Sequence, residues 1–253
     1  MKKQTIAYYT ICLNEIAIYN WAIDYWKLFA DHVYVYDNGS TDGILEKFAE
    51  HPDWITVIHY ETEGTDNKKM SEIKTNCFYH AKEHGYDWAF IGDFDEFLYS
   101  TDWEFSLNYA VENNIGVIEN KNYQLMSLEF PKYNPEILLH KDPEVRGFRD
   151  TGPGGKICCL NTHLIDSINY GIGCHTLNYT GIGIKSALDN VYMFHAKQIG
   201  QDYSINRNIY LGKILGKNDL SHRFGSHYLQ SQENMKSGFF DNWNKTNNDI
   251  NSL

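Results

Sequence analysis

No stretch of this 253-residue sequence approaches the ~20 consecutive apolar residues that a membrane-crossing helix requires. Its start does not suit a secretory leader either. Met1-Lys2-Lys3-Gln4 is basic, but the apolar run after it is broken at Asn14-Glu15. There is no G-x-G-x-x-G and no G-x-x-x-x-G-K-[ST], which argues against a dinucleotide fingerprint or a P-loop. Five cysteines (Cys12, Cys77, Cys158, Cys159, Cys174) show no metal-type spacing. Their odd count and adjacent pair read as reduced thiols in a cytoplasmic protein. Positive charge is scarce: 22 Lys and Arg against 33 Asp and Glu give a formal net charge of −11. That balance argues against binding a nucleic-acid backbone, although a metal can still bring an anionic ligand to an acidic protein.

The length suits one large α/β domain, or one with a small appendage. Aromatic residues make up 15% of the chain, with 19 tyrosines. Such side chains stack on sugars or bases in clefts, and they also fill cores. The most informative stretch runs from Trp88 to Phe97. There an apolar run ends at Gly92 and is followed by Asp93, Asp95 and Glu96 among aromatics. Short apolar runs read as buried strands. On an extended chain Asp93 and Asp95 point the same way, and two hard oxygen donors on one side suit Mg²⁺ or Mn²⁺. The plainer reading is a solvated acidic turn.

Strand and helix alternate through the first hundred residues. Strands are expected at Ile6 to Leu13, Val33 to Tyr36 and Trp54 to Ile58, with helices at Ile16 to Phe29, Ile44 to Glu50 and Lys69 to His84. Asp42 is placed to cap the second helix and Gly85 to stop the third. This alternation implies a parallel sheet with right-handed crossovers. Polar strand ends at Asn14-Glu15, Asp37-Asn38 and Asp93-Asp95 then fall on one rim, where open α/β sheets bind nucleotides.

Asn14-Glu15 after the first strand, Asp37-Asn38-Gly39-Ser40-Thr41-Asp42-Gly43 after the second, and Asp93-Phe94-Asp95-Glu96-Phe97 after the fourth resemble a GT-A-fold glycosyltransferase, close to glycosyltransferase family 2. The resemblance covers about residues 5–100. It implies a mostly parallel central sheet flanked by helices, with a smaller mixed sheet on the acceptor side. Residues 1–241 would form one domain, 1–100 the nucleotide-binding half and 101–241 the acceptor half and C-terminal helices. Residues 242–253 would be a loose tail. It further implies a nucleotide-diphosphate sugar donor, with Asn14, Glu15, Asp37 and Asn38 at the base, Asp93 at ribose and metal, and Asp95 on Mn²⁺ or Mg²⁺. Asn38 stands where an aspartate is commoner. An amide donates as well as accepts, so the preferred base stays open. Lys68, Lys69 and Lys74 could reach phosphate or be solvated.

In the second half, a helix is expected at Asp102 to Asn113 and strands at Asn114 to Lys121 and Tyr123 to Phe130. Arg146 to Lys156 is a glycine-dense stretch, either a flap over the donor or a surface loop. Lys156-Ile157 followed by His175 resembles an arrangement in bacterial and family-92-like sequences. Val191 to His195 is an apolar run ending in a metal-capable residue, and the resemblance implies a histidine here that completes the metal site. His195 is the first choice and His175 the second; a structural role is the alternative. A helix is expected over Tyr203 to Leu215.

Sugar transfer places negative charge on the departing diphosphate, and an inverting enzyme also needs a carboxylate base. Asp150, Glu129 and Asp189 are the candidates, Asp150 first for its glycine-rich setting. The expected activity is metal-dependent transfer to a glycan or lipid-linked glycan, in bacterial-type surface polysaccharide or lipooligosaccharide synthesis. The enzyme would be cytoplasmic, with peripheral contact possible at the inner membrane face. The rival classes are a non-catalytic nucleotide-sugar or glycan-binding module, a nucleotide-sugar hydrolase and a nucleotidyltransferase.

Overall fold

The structure, a computed structural model, describes residues 3–151 and 158–253. Runs rich in β-branched and aromatic residues suit a pleated, buried surface. They form β1 (Ile6–Cys12), β2 (His32–Asp37), β3 (Ile55–His59) and β4 (Trp88–Asp93). Between them run α1 (Tyr19–Trp26), α2 (Ile44–Phe48) and α3 (Asn67–Glu83). The Asp66 side chain caps α3 by accepting from Lys69 N, and Gly85, with φ of +75°, follows its end. These strands are parallel, in the order β3-β2-β1-β4. The order reverses at β1, with β2 and β3 on one side and β4 on the other. Such a switch opens a crevice beyond the strand ends, where open α/β sheets take their ligands.

The chain then turns sharply at Phe94-Asp95 into β5 (Glu96–Ser100) and α4 (Trp103–Glu112). The long β6 (Ile115–Ser127) follows, then β7 (Arg146–Arg149), β8 (Cys159–Asn161), β9 (Ile165–Tyr170), β10 (Leu177–Gly181) and β11 (Ile184–Ile199). Helices α5 (Gln201–Lys213), α6 (Lys217–His222) and α7 (Gln232–Trp243) close the fold. The large sheet continues as β4-β8-β6-β11-β5, with β7 on β6, and becomes mixed in direction. The expected α/β architecture is therefore present. Its small separate sheet is the antiparallel β9–β10 pair, which docks on α3 where Tyr79 Oη and Lys82 Nζ donate to the carbonyls of Ile168 and Ile165.

Three local expectations are corrected. The two strands placed at 114–121 and 123–130 are one strand: Lys121 and Asn122 look like a break, yet their backbone stays in register with Tyr192 and Met193 of β11. The glycine-dense stretch begins as β7, while residues 152–157, with Lys156 and Ile157, lie outside the described residues. The tail expected to be loose is packed: Ile250 is fully buried, and Asn247 pairs with Gly147 of β7. Three apolar residues, Trp243, Ile250 and Leu253, scattered through a polar segment were too weak a signal to show this.

The core on the α1 side is dominated by aromatics. Tyr25 stacks on Phe97 at 4.8 Å, and His140 stacks on Phe194 at 4.3 Å. His140 is fully buried, with Nδ1 2.6 Å from Tyr25 Oη. Burial and the neighbouring Lys141 push its imidazole down to about 3. Below its ordinary value of 6.5 the unfolded chain therefore takes up a proton that the folded chain refuses. Stability from this group is fully present above that value and is lost as pH falls toward 3, at roughly 1.4 kcal/mol per pH unit. Urea unfolding at pH 7.5, 6, 5 and 4 should show this slope, and His140→Asn should reduce it. An unchanged slope in the variant would assign the acid sensitivity elsewhere.

Candidate functional site

A cavity of about 310 Å³ opens beyond the C-terminal ends of β1 and β4, at the switch in strand order. Its polar lining includes Glu15, Asp93, Asp95, His195, Lys197 and Arg207. Asp95 lies in the β4–β5 turn, so strand alternation does not orient it. Phe94 is buried against Trp26, with rings 5.2 Å apart, and this anchors the turn. β5 pairs antiparallel with β11, matching Glu96 with His195, and Ala196 N donates to the Asp95 carbonyl at 2.8 Å. That pairing, across a hundred residues, brings Asp95 Oδ2 within 3.5 Å of His195 Nε2.

Arg207 reaches the same point from α5. Its guanidinium pairs with the Glu15 carboxylate and lies 3.5 Å from Asp95 Oδ2. All three side chains are largely buried, with exposures of 17% for Arg207, 6% for Glu15 and 8% for Asp95. Burial pushes the Asp95 carboxyl up, but His195 and Arg207 outweigh it and hold it below the usual range. At Glu15 burial wins, lifting the carboxyl to about 7 against the pull of Arg207. Asp93 is held separately. Its Oδ1 accepts from buried Lys74 Nζ at 2.6 Å, and its backbone N–H donates to Glu96 Oε2.

The roof comes from the C-terminal helices. Thr65 bridges to Leu215, and Asn67 and Thr65 donate to buried Asp219. Here the backbones approach so closely that a Cβ on Gly64 would strike the Ile214 carbonyl, and one on Gly216 the Thr65 carbonyl. Asn14, in a left-handed conformation (φ +57°), ties the β1 loop to the roof by donating to Tyr210 Oη.

The structure sorts the expected site residues. Glu15, Asn38, Lys74, Asp93, Asp95, His195 and His175 line the cavity. Asn14 and Asp37 shape it from behind. Asp37 is fully buried and accepts from the N–H groups of Gly39 and Ser40, holding the 37–43 loop. Lys69 is half exposed beside Glu72 and, like Lys68, is not in the lining. None of the three candidate bases reaches the cavity. Asp150 accepts from Gln124 Nε2, Glu129 is exposed, and Asp189 projects into solvent paired with Lys121. The glycine-rich setting that favoured Asp150 marks the end of β7 instead. Lys197, His227 and Tyr228 line the cavity and were not anticipated. Only the spacing of Lys197 two residues after His195 could have hinted at it.

Asp95 and His195 offer a hard oxygen and an imidazole nitrogen to one point. No group of three or more His, Cys, Asp and Glu able to hold an ion is found among the described residues. A two-donor site nevertheless fits Mg²⁺ or Mn²⁺, because such ions are commonly bound by one or two protein ligands and complete their shell with substrate phosphates and water. Asp93 lines the same cavity, with its Oδ1 bonded to Lys74.

Residues 8–248, from β1 into the packed tail, match Glycosyltransferase family 92. The chain belongs to this family. No curated protein matches it in sequence. Among solved structures it is similar to Staphylococcus aureus TarS. For the 1–349 fragment in complex with UDP, identity is 12%, coverage is 94% of this chain and 71% of that one, and the TM-score is 0.47. A longer TarS chain gives 12% identity, 89% and 43% coverage and a TM-score of 0.46, so this chain spans less than half of its length. Glucosyl-3-phosphoglycerate synthase from Mycobacterium tuberculosis, with Mn²⁺ and UDP, gives 16% identity, 47% and 44% coverage and a TM-score of 0.31. The match to family 92 is finer than the expected resemblance to family 2 and compatible with it. Among the described residues no helix is long and apolar enough to cross a membrane.

Proposed function

We propose that this family-92 domain, residues 1–241 with the packed tail, transfers a sugar from a nucleoside-diphosphate sugar to a hydroxyl of a glycan or lipid-linked glycan. The observation that carries this reading is the convergence of Asp95 and His195, 3.5 Å apart, in a cavity at the strand-order switch. Asp95 and His195 would hold Mn²⁺ or Mg²⁺, which when bound draws negative charge from the diphosphate. The chain's own residues prepare that position. Phe94 anchors the turn, Arg207 holds Asp95 ionised, and Asn38, its amide bonded to Thr62 and Gly64, lines the β1–β2 side of the cavity, where a nucleoside would lie. Lys74 holds Asp93 beside it. Synthesis of a bacterial-type surface glycan is the setting in which such a donor and acceptor meet.

The test is turnover of a panel of UDP-, GDP-, CDP- and dTDP-sugars with and without Mn²⁺, followed by product nucleotide and by transfer to a glycan acceptor array. Nucleotide release that requires both Mn²⁺ and an acceptor supports transfer. Release independent of acceptor would indicate a hydrolase. Tight donor binding without release would indicate a binding module.

A further inference from the structure

Three cationic side chains, Lys74, Lys197 and Arg207, line the cavity among the described residues. Lys74 is bonded to Asp93, and Arg207 to Glu15 and Asp95. Lys197 is held differently. Its Nζ lies 3.2 Å from His227 Nε2 and 3.4 Å from Tyr228 Oη, and 4.7 Å from the centre of the Tyr228 ring. None of these partners is a carboxylate, so its charge is positioned without being cancelled.

The position of Lys197 follows from β11. His195 and Lys197 both face the cavity while Ala196 between them is buried. β11 carries one extra residue against β6 between His195 and Gln198, a bulge of the kind that re-aims side chains at sheet rims. Lys197 lies two residues beyond His195 along β11 and lines the same cavity as Asp95 and His195.

We propose that Lys197, presented by His227 and Tyr228, grips the terminal phosphate of the nucleoside diphosphate as it departs. This inference rests on the donor reading above. In transfer the bond between the anomeric carbon and the phosphate oxygen breaks, and its electron pair stays on that oxygen. The acceptor oxygen bonds to the anomeric carbon and its proton leaves to solvent or a base. The departing nucleotide therefore gains one negative charge at its terminal phosphate. An ammonium not already neutralised by a carboxylate stabilises that charge more than it stabilises the intact donor.

His227 is a positioning residue. An ammonium can only donate, so Nε2 must accept and the ring must be neutral. Partial burial of the ring and the adjacent Lys197 push its imidazole down to about 4, although the residue stays exposed at the cavity rim. A neutral acceptor orients Lys197 without competing for phosphate.

The experiment measures binding of UDP, GDP and CDP, then of the matching nucleoside monophosphate, to the full chain with Mn²⁺ by calorimetry. Lys197→Met should weaken the diphosphate by about 10- to 100-fold and the monophosphate by less than about 3-fold. Lys197→Arg should recover most of that loss. His227→Gln, which keeps an acceptor, should bind like wild type, whereas His227→Leu should lose diphosphate affinity selectively. Lys197→Gln serves if the methionine variant does not fold. Wild-type diphosphate affinity in Lys197→Met, or equal loss of both nucleotides, would overturn the assignment and leave the donor reading standing. A wild-type protein that binds no nucleoside diphosphate would overturn the donor reading and this inference with it.

Discussion

Asp95→Asn is expected to lower Mn²⁺-dependent sugar transfer by on the order of 10²–10³-fold while leaving the fold intact. The amide keeps the size of the carboxylate and the anchored Phe94 turn, and Arg207 retains its bond to Glu15. What is lost is the charge at the point where His195 meets the turn. An asparagine oxygen is a poor substitute for a carboxylate toward a hard divalent ion. The thermal midpoint should therefore move little, and nucleoside-diphosphate affinity should cease to respond to Mn²⁺. Asp93→Asn is the contrasting variant. Because Lys74 holds Asp93, its loss should disturb α3 and the β4 end more than the response to Mn²⁺. Calorimetric titration of both variants with and without Mn²⁺ separates these outcomes. Asp95→Asn binding nucleotide like wild type in Mn²⁺ would remove Asp95 from the metal position.

The parallel half of the fold was legible because its signals are local. Apolar runs ending in Asn14-Glu15, Asp37-Asn38 and Asp93 became β1, β2 and β4, and the alternation with helices implied their parallel order. The rim followed from that order, which is why Glu15, Asp93 and Asp95 were found together. The geometry inside the rim was not legible. An extended strand would align Asp93 with Asp95, whereas Asp95 lies in the turn after β4 and each has its own cation. Asp37 reads as a ligand residue, and an aspartate before Gly39-Ser40 also accepts from the backbone of its own loop, as it does here.

The second half depends on contacts far apart in sequence. His195 was reached through the resemblance and a strand-end pattern, yet β11 continues to Ile199, and it is β5 that delivers His195 to Asp95. Nothing local announces an antiparallel partner a hundred residues away. The same applies to Arg207, on a helix whose charged residues look like an ordinary solvated face, and to Lys197, whose partners arrive from a short 3₁₀ turn at Ser226–Leu229. Asp150, Glu129 and Asp189 lie outside the cavity lining for the converse reason. Their neighbours in sequence suggested function, while their places in the fold are the β7 end and the surface.

Arg207→Met is expected to cost about 3–5 kcal/mol of stability at pH 8, the range found when one partner of a buried ion pair is removed. Glu15 and Asp95 would be left buried side by side, with no guanidinium between them. Proton uptake offers a partial escape. Glu15 is already raised to about 7 by burial, and losing Arg207 raises it further. Between the ordinary carboxylate value near ~4.3 and that raised value, the folded variant holds a proton that the unfolded chain has released. Stability must then fall as pH rises through this window, so the deficit should be smallest near pH 5 and largest at pH 8. Removing both charges should relieve it: Arg207→Met with Glu15→Gln should recover a large part of the loss and flatten the pH dependence. Urea unfolding of the wild type, both single variants and the double variant at pH 5, 6.5 and 8 measures the coupling directly. If Arg207→Met matches wild type at pH 8, or the double variant is no more stable than Arg207→Met, the guanidinium does not hold these carboxylates together.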